Sequence, residues 1–300
     1  MIVTKVEAGD PMKFVFCLDA NPRFQILLLA AIRSLRSIYP RADVGVVYGG
    51  REEALLDVLL EEDVPIIRYA PYMNETNVAP GFHQAIGALL TLELALVPEL
   101  SNEEYVLYFD CDVLFVKPFE ELLALRPAYL AMSRQEPVPF FCEHETLDYV
   151  YKGNRYAINM PFPIWHYNSG VVLYNLGRLR KNDYIHNFLA FCLQNLEKLG
   201  NYDQPLINYY FGKRITRFDQ SFNCQSFLES SKDQGRIIHF QGPKPWHLGQ
   251  NYYPEQQSQN FRHFSEVWRS HLTEKERGIV HTWEMRVPPG AGLLDGGTAP

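Results

Sequence analysis

The stretch Tyr105-Val-Leu-Tyr-Phe-Asp110-Cys-Asp112-Val-Leu-Phe-Val116 is an apolar run rich in aromatic and β-branched residues, interrupted midway by two carboxylates. Asp110 and Asp112 stand two apart, so in extended backbone their side chains share one face while Cys111 takes the other. An unpaired carboxylate in an apolar strand is costly to desolvate. Two close ones raise each other's pKa unless a cation lies between them. A divalent ion answers both problems, and hard oxygen ligands suit Mg2+ or Mn2+, which typically bind through one or two carboxylates plus substrate phosphates. The competing reading is a solvated acidic turn joining two strands.

Upstream, Phe14 to Leu18 is a short apolar run followed by Asn21-Pro22, the pairing of a helix N-cap with proline at the first helical position. Leu28, Ile32, Leu35 and Ile38 recur at helical spacing until Pro40, and Asp43 to Tyr48 reads as a second strand, which makes a βαβ opening. A helical stretch over 52–60, an apolar segment over 64–67 and an apolar helix over 85–96 continue the alternation of an α/β sheet covered on both faces.

Downstream, 134–165 loses periodicity and fills with proline and aromatic residues, the composition of a binding loop or lid. Regular structure is predicted again for a strand at 171–174, a helix near 184–199 and a short strand at 236–239. That last strand ends in His239 and runs into Gln241-Gly242-Pro243-Lys244. Imidazole is a good Mn2+ ligand, glycine lets backbone N–H groups approach an anion, and lysine neutralises phosphate charge. Asn168-Ser169-Gly170 and Asp203-Gln204 are polar where packing would prefer apolar residues. They suit sugar hydroxyls, with Gln204 a neutral dipole at the reacting carbon; turn and N-cap chemistry explain them equally well.

Lys plus Arg number 28 against 35 for Asp plus Glu, a formal charge of −7 that disfavours a protein built to grip nucleic acid. The five cysteines form no CxxC pair or zinc spacing and read as reduced, buried thiols. The N-terminal residues lack the apolar core of a signal peptide and no run approaches a membrane span, so a soluble cytoplasmic chain is expected. Phe261 to His271 mixes aromatic and basic residues as an interfacial helix would, a candidate for weak peripheral membrane contact; packing on the domain is the alternative.

Taken in order, YFDCDVLFVKPF at 108–119, HYNSGVVLYNLGRLR at 166–180, YDQPLIN at 202–208 and HFQGPKPWH at 239–247 resemble the retaining enzymes of glycosyltransferase family 8. The resemblance covers about Phe14 to His247 and implies a GT-A fold: a single α/β domain with a Rossmann-like mixed sheet flanked by helices. On that footing a GT-A domain spans 12–250, a helical extension 251–286 and a disordered tail 287–300. It implies a hexosyltransferase that moves galactose or glucose from a UDP-sugar to a saccharide, glycolipid or protein acceptor, with Mn2+ (Mg2+ as substitute) as cofactor. Asp110, Asp112 and His239 match its metal ligands, Gly242 and Lys244 its phosphate turn, and Asp19 and Asn21 its uridine contacts. Cys111 falls within the donor-binding motif. Asn168, Asp203 and Gln204 match residues around the donor sugar. Trp165, Tyr167 and Trp246 are candidates for the acceptor region.

Two departures stand out. No Lys or Arg occurs from 69 to 116, where relatives carry a donor-contacting base, and Gly87 or Ala88 takes its place. Lys244 follows His239 by five residues rather than six, a tighter phosphate turn. A non-catalytic UDP-sugar-binding protein on a degenerate GT-A fold is therefore one alternative. A haloacid-dehalogenase-type phosphatase is another, although its downstream Gly-Asp motif is missing.

Overall fold

The computed structural model describes residues 12–80, 86–134, 146–159, 166–199, 203–247 and 258–284. The opening strand β1 (Lys13–Leu18) hands over to helix α1 (Pro22–Ile38), capped by the Asn21 side chain, which accepts from the Arg23 N–H. Its apolar face, from Ile26 to Leu35, is buried against the sheet, each large aliphatic side chain contributing about 1.5–3 kcal/mol. Strands β2 (Val44–Tyr48) and β3 (Ile66–Arg68) follow. Then come β4 (Tyr105–Phe109), β5 (Val113–Phe115), β6 (Leu130–Arg134), β7 (Thr146–Tyr151), β8 (Asn154–Asn159) and β9 (Tyr167–Asn175). Helices α2 (Tyr184–Leu199) and α3 (Asp203–Phe211) precede β10 (Ile215–Phe218), β11 (Cys224–Gln225) and β12 (Ile237–His239). Helices α4 (Gln259–Ser270) and α5 (Glu274–Glu284) end the described chain.

The main sheet runs β10-β6-β9-β4-β1-β2-β3. Its β3, β2, β1 and β4 are parallel, while β9 is antiparallel to both neighbours. The chain builds outward from β1 to β3 and then returns to the other side of β1. This reversal leaves a crevice at the carboxyl ends of β1 and β4, where open α/β sheets bind ligands. Asp19 follows the one strand and Asp110 the other. A small sheet, β11-β12-β5, pairs β12 antiparallel to β5 with His239 opposite Val113, and so delivers the histidine beside Asp112.

Several sequence expectations change. The helix over 52–60 is a 3-10 turn at Glu52–Ala54 and a short helix at Asp57–Leu60, and that over 85–96 is one α turn, Ile86–Leu89, continued as the 3-10 helix Leu90–Leu96. A buried carboxylate shapes the second region: Glu93 accepts from the Tyr69 hydroxyl and from the Tyr72 and Met73 backbone N–H groups. Part of the aperiodic 134–165 stretch is the β7–β8 hairpin, with Lys152 and Gly153 both at positive φ as a two-residue hairpin turn requires. The strand read as 171–174 extends back to Tyr167, so Asn168-Ser169-Gly170 is strand rather than turn.

In α4 the residues Phe261, Phe264 and Trp268 are buried in the same core as the sheet, which removes from the membrane reading the apolar face it needed. Among the described residues, no helix is long and apolar enough to cross a membrane. Cys17, Cys111, Cys192 and Cys224 are free and buried, and burial pushes each thiol up. Cys142, Trp165 and the 287–300 tail lie outside the described residues.

Candidate active site

The acidic segment between β4 and β5 is a turn that carries the chain from the large sheet to the small one. The bland reading of an acidic turn is thus right about the backbone, yet the turn still gathers its carboxylates. Backbone bonds from the Asp110 N–H to the Gly170 carbonyl (2.9 Å) and from the Phe240 N–H to the Asp112 carbonyl (2.9 Å) clamp it to β9 and β12. His239 Nε2 then lies 3.2 Å from Asp112 Oδ1 and 3.6 Å from Asp110 Oδ2. Ligand atoms of these three side chains all fall within 4.8 Å of one another, a spacing one cation can span. Cys111 turns away, its Sγ donating to the Cys17 carbonyl at 3.3 Å, so only its backbone is available to a ligand.

Two hollows open here. The first, about 230 Å3, is lined by Asp110, Asp112, His239, Gly242 and Lys244 on one side and by Asn168, Asp203 and Gln204 on the other. Ser169 and Gln241, which the sequence places within motifs without a role of their own, join them. The second, about 220 Å3, is lined by Asn21, Arg23, Phe24, Trp246 and again Lys244. Gly242 sits at φ +84°, which a glycine adopts freely and which sets the tight turn after His239. Lys244 Nζ donates to Asp112 Oδ2 at 2.6 Å and to the Phe240 carbonyl at 3.1 Å.

Carboxylates outnumber cations in the first hollow. Burial works to raise Asp112, but Lys244 and His239 outweigh it and hold this carboxyl well below its usual range. Asp110 is pushed up by burial and by the Asp112 charge, although the Tyr108 hydroxyl donates to it at 2.5 Å. Asp203 is pushed up to about 7 by burial and the Asp110 charge, against hydrogen bonds from Ser169 and from the first backbone N–H groups of α3. His239 is raised: burial opposes its charge, and the Asp112 carboxylate more than compensates. A donor set of two hard carboxylates and one imidazole, with surplus negative charge around it, fits a divalent cation.

Asp19 accepts from the Asn21 N–H at 2.8 Å, and its carboxyl is pushed up by burial. It also explains the absent base, because a Cβ on Gly87 would lie 2.6 Å from Asp19 Oδ2. Any side chain at 87 displaces that carboxylate. Tyr167 is tied by its backbone N–H and carbonyl to the Asn208 side chain, while Trp246 is buried against Trp268 and Trp283, with an edge on the second hollow.

The sugar-side residues form a fixed amide array. Gln204 Oε1 accepts from the Ser169 N–H (3.1 Å) and Asn168 Nδ2 (3.0 Å), which turns Gln204 Nε2 toward His166 Nε2 at 2.5 Å. His166 must accept there as neutral imidazole, and burial pulls its pKa down to about 4. An unfolded imidazole protonates near 6.5, so between about pH 6.5 and 4 the unfolded chain holds the extra proton and stability falls as pH drops. The loss is about 1–2 kcal/mol once His166's part exposure is allowed for. His166→Gln is expected to flatten that part of a urea-unfolding pH profile, and an unaltered slope would count against the assignment.

The family model for glycosyl transferase family 8 matches residues 84–249, more than half of the chain. This chain belongs to glycosyltransferase family 8. It is 24% identical over 158 residues to the probable glycosyl transferase Gly of Streptococcus gordonii, a match covering 50% of this chain and 20% of that protein. The family 8 fold also matches the galactosyltransferase LgtC, solved with donor and acceptor sugar analogs, at TM-score 0.58 and 19% identity over 89% of this chain and 99% of LgtC. The glycosyltransferase GlyE of Streptococcus pneumoniae matches at TM-score 0.54 and 16% identity over 92% of this chain and 63% of GlyE. The architecture is therefore GT-A, and the family is one of glycosyltransferases. Family membership disposes of the phosphatase reading.

Proposed function

We propose that this protein is a retaining hexosyltransferase that takes galactose or glucose from a UDP-sugar in a Mn2+-dependent reaction. Mg2+ is the substitute ion, and the acceptor is a saccharide or glycoconjugate. The observation that carries the reading is the convergence of Asp110, Asp112 and His239 ligand atoms within 4.8 Å, beside Lys244, at the crevice of the sheet. Those three residues would hold the ion, which supplies positive charge against the donor diphosphate. Asp19 and Asn21, at the end of β1, take the nucleoside.

Lys244 is poised to exchange its bond to Asp112 for one to a diphosphate oxygen and to neutralise charge as the leaving group departs. Gly242 brings backbone close to the same oxygens. Asn168, Asp203 and Gln204 hold the hexose, with the Gln204 amide locked against rotation by its bonds to Ser169 and His166. In same-face substitution the bond from the anomeric carbon to the acceptor oxygen forms as the bond to the diphosphate oxygen breaks. The electron pair leaves with UDP, and the acceptor proton passes to the departing diphosphate. An active-site glutamine-to-glutamate mutant of LgtC among the structural neighbours supports attention to Gln204.

The test is UDP release from a panel of UDP-hexoses with Mn2+ and no acceptor. Slow release from one donor is the expected result. No release from any donor, with no rise in melting temperature on adding Mn2+ and UDP, would overturn the reading. A rise in melting temperature with no turnover, acceptor sugars included, would favour the non-catalytic binding protein, for which Gly87 in place of a base is the motivating feature.

A further inference from the structure

Residues 220–225 contribute a side chain that neither the motifs nor the metal ligands account for. Asn223 is buried, 5% exposed, in the 3-10 turn just before β11, and it stands between the two halves of the site. Its orientation follows from that of Asn168, which a backbone donor two residues along β9 fixes. The Gly170 N–H gives a hydrogen bond to Asn168 Oδ1 at 2.9 Å, so that atom is an oxygen and not the amide nitrogen. Asn223 touches the same oxygen at 2.7 Å and must present its own Nδ2 there. Its Oδ1 consequently faces His239 Nδ1 at 3.0 Å, and only a ring carrying its proton on Nδ1 can answer it. That leaves His239 Nε2, the atom facing Asp110 and Asp112, as the one able to offer a lone pair to a cation. The other arm continues through Asn168 Nδ2 to Gln204 Oε1 at 3.0 Å.

We propose that Asn223 is a positioning residue that serves both halves at once. Its oxygen fixes the ring orientation and tautomer of His239 for metal binding, and its amide nitrogen holds Asn168, and through it Gln204, in register with the ion. A metal-bound imidazole generally needs such an acceptor on its other nitrogen, and removing one costs about 10–100-fold in metal affinity. The inference rests on the metal-site reading above and adds to it a link between ion and sugar pocket.

The two arms separate by substitution. Asn223→Ala removes both, and a Mn2+ titration followed by electron paramagnetic resonance, without donor, is expected to show affinity weakened at least about tenfold. Asn223→Asp keeps an acceptor for His239 Nδ1 but sets a carboxylate oxygen against Asn168 Oδ1 where a donor stood. Its Mn2+ affinity is expected to stay within about threefold of wild type while kcat for UDP release falls at least about tenfold with donor KM little changed. A purely structural role would instead lower the melting temperature of both variants and leave the Mn2+ affinity of the folded protein unchanged. Wild-type affinity in folded Asn223→Ala, or loss of affinity in Asn223→Asp, overturns the proposal. If Asn223→Ala does not fold, the split predicted for the near-isosteric Asn223→Asp still decides. Asp112→Ala is the control: if wild-type protein binds Mn2+ no better than this variant, the metal site itself has failed rather than the role of Asn223.

Discussion

Asp112→Ala is expected to lower donor turnover by roughly 10³-fold in protein that still folds. Asp112 is 4% exposed and is the carboxylate nearest His239 Nε2, so its loss removes both a metal ligand and the anion that holds Lys244 in place. The same substitution relieves repulsion, because the Asp112 charge is one reason Asp110 is pushed up. That relief offsets only part of what is lost, because Lys244 and His239 hold the Asp112 carboxyl well below its usual range and both are left uncompensated, so the melting temperature is expected to fall as well. Lost Mn2+ affinity in the folded variant, over and above the loss of stability, is the signature of a site built for a cation. Mn2+ affinity, melting temperature and UDP release measured on one preparation decide it: more than a tenth of wild-type turnover in Asp112→Ala would sink the assignment of Asp112 as a ligand.

Much of this was legible in the chain because the chemistry is local. Asn21-Pro22 announces α1, and the carboxylates at 110 and 112 are conspicuous in an apolar run, whatever backbone carries them. The motifs at 166–180 and 239–247 bring Asn168, His239, Gly242 and Lys244 to one hollow. What the sequence does not mark is either masked locally or depends on contacts between distant segments. The β7–β8 hairpin carries a turn signal at Lys152-Gly153, but prolines and aromatics on either side mask its alternation. Asn223 and His166 have no periodicity or spacing that marks them, and matter only because β11 lies beside β12 and because α3 packs on β9. The 85–96 segment is as apolar as a regular helix, yet Glu93 binds the backbone of 72–73 in its midst, and local propensity gives no hint of that tertiary bond.

Gly170→Ala is expected to be the most damaging single-methyl change in the molecule's active site. A Cβ at this position would lie 2.2 Å from His239 Cε1, 2.6 Å from Nδ1 and 2.9 Å from Nε2, far inside contact distance. The imidazole is seated against the bare backbone of Gly170, so either the ring or the strand must move. The strand is held beside this residue by Phe109 of β4 opposite Val171 and by the Asp110 N–H on the Gly170 carbonyl, so the ring moves. Displacing it breaks the bond to Asn223 and carries Nε2 off the carboxylates. Mn2+ affinity should fall at least about tenfold and turnover roughly 10²–10³-fold, with about 1–3 kcal/mol of stability lost to overpacking. A double-mutant cycle isolates the cause. In a His239→Ala background the clash partner is gone, and Gly170→Ala should then be neutral or slightly stabilising, since alanine costs less backbone entropy than glycine in a strand. Equal losses of melting temperature in the two backgrounds would show that the methyl strains β9 itself, and the seating of His239 on Gly170 would not be what places the histidine in the site.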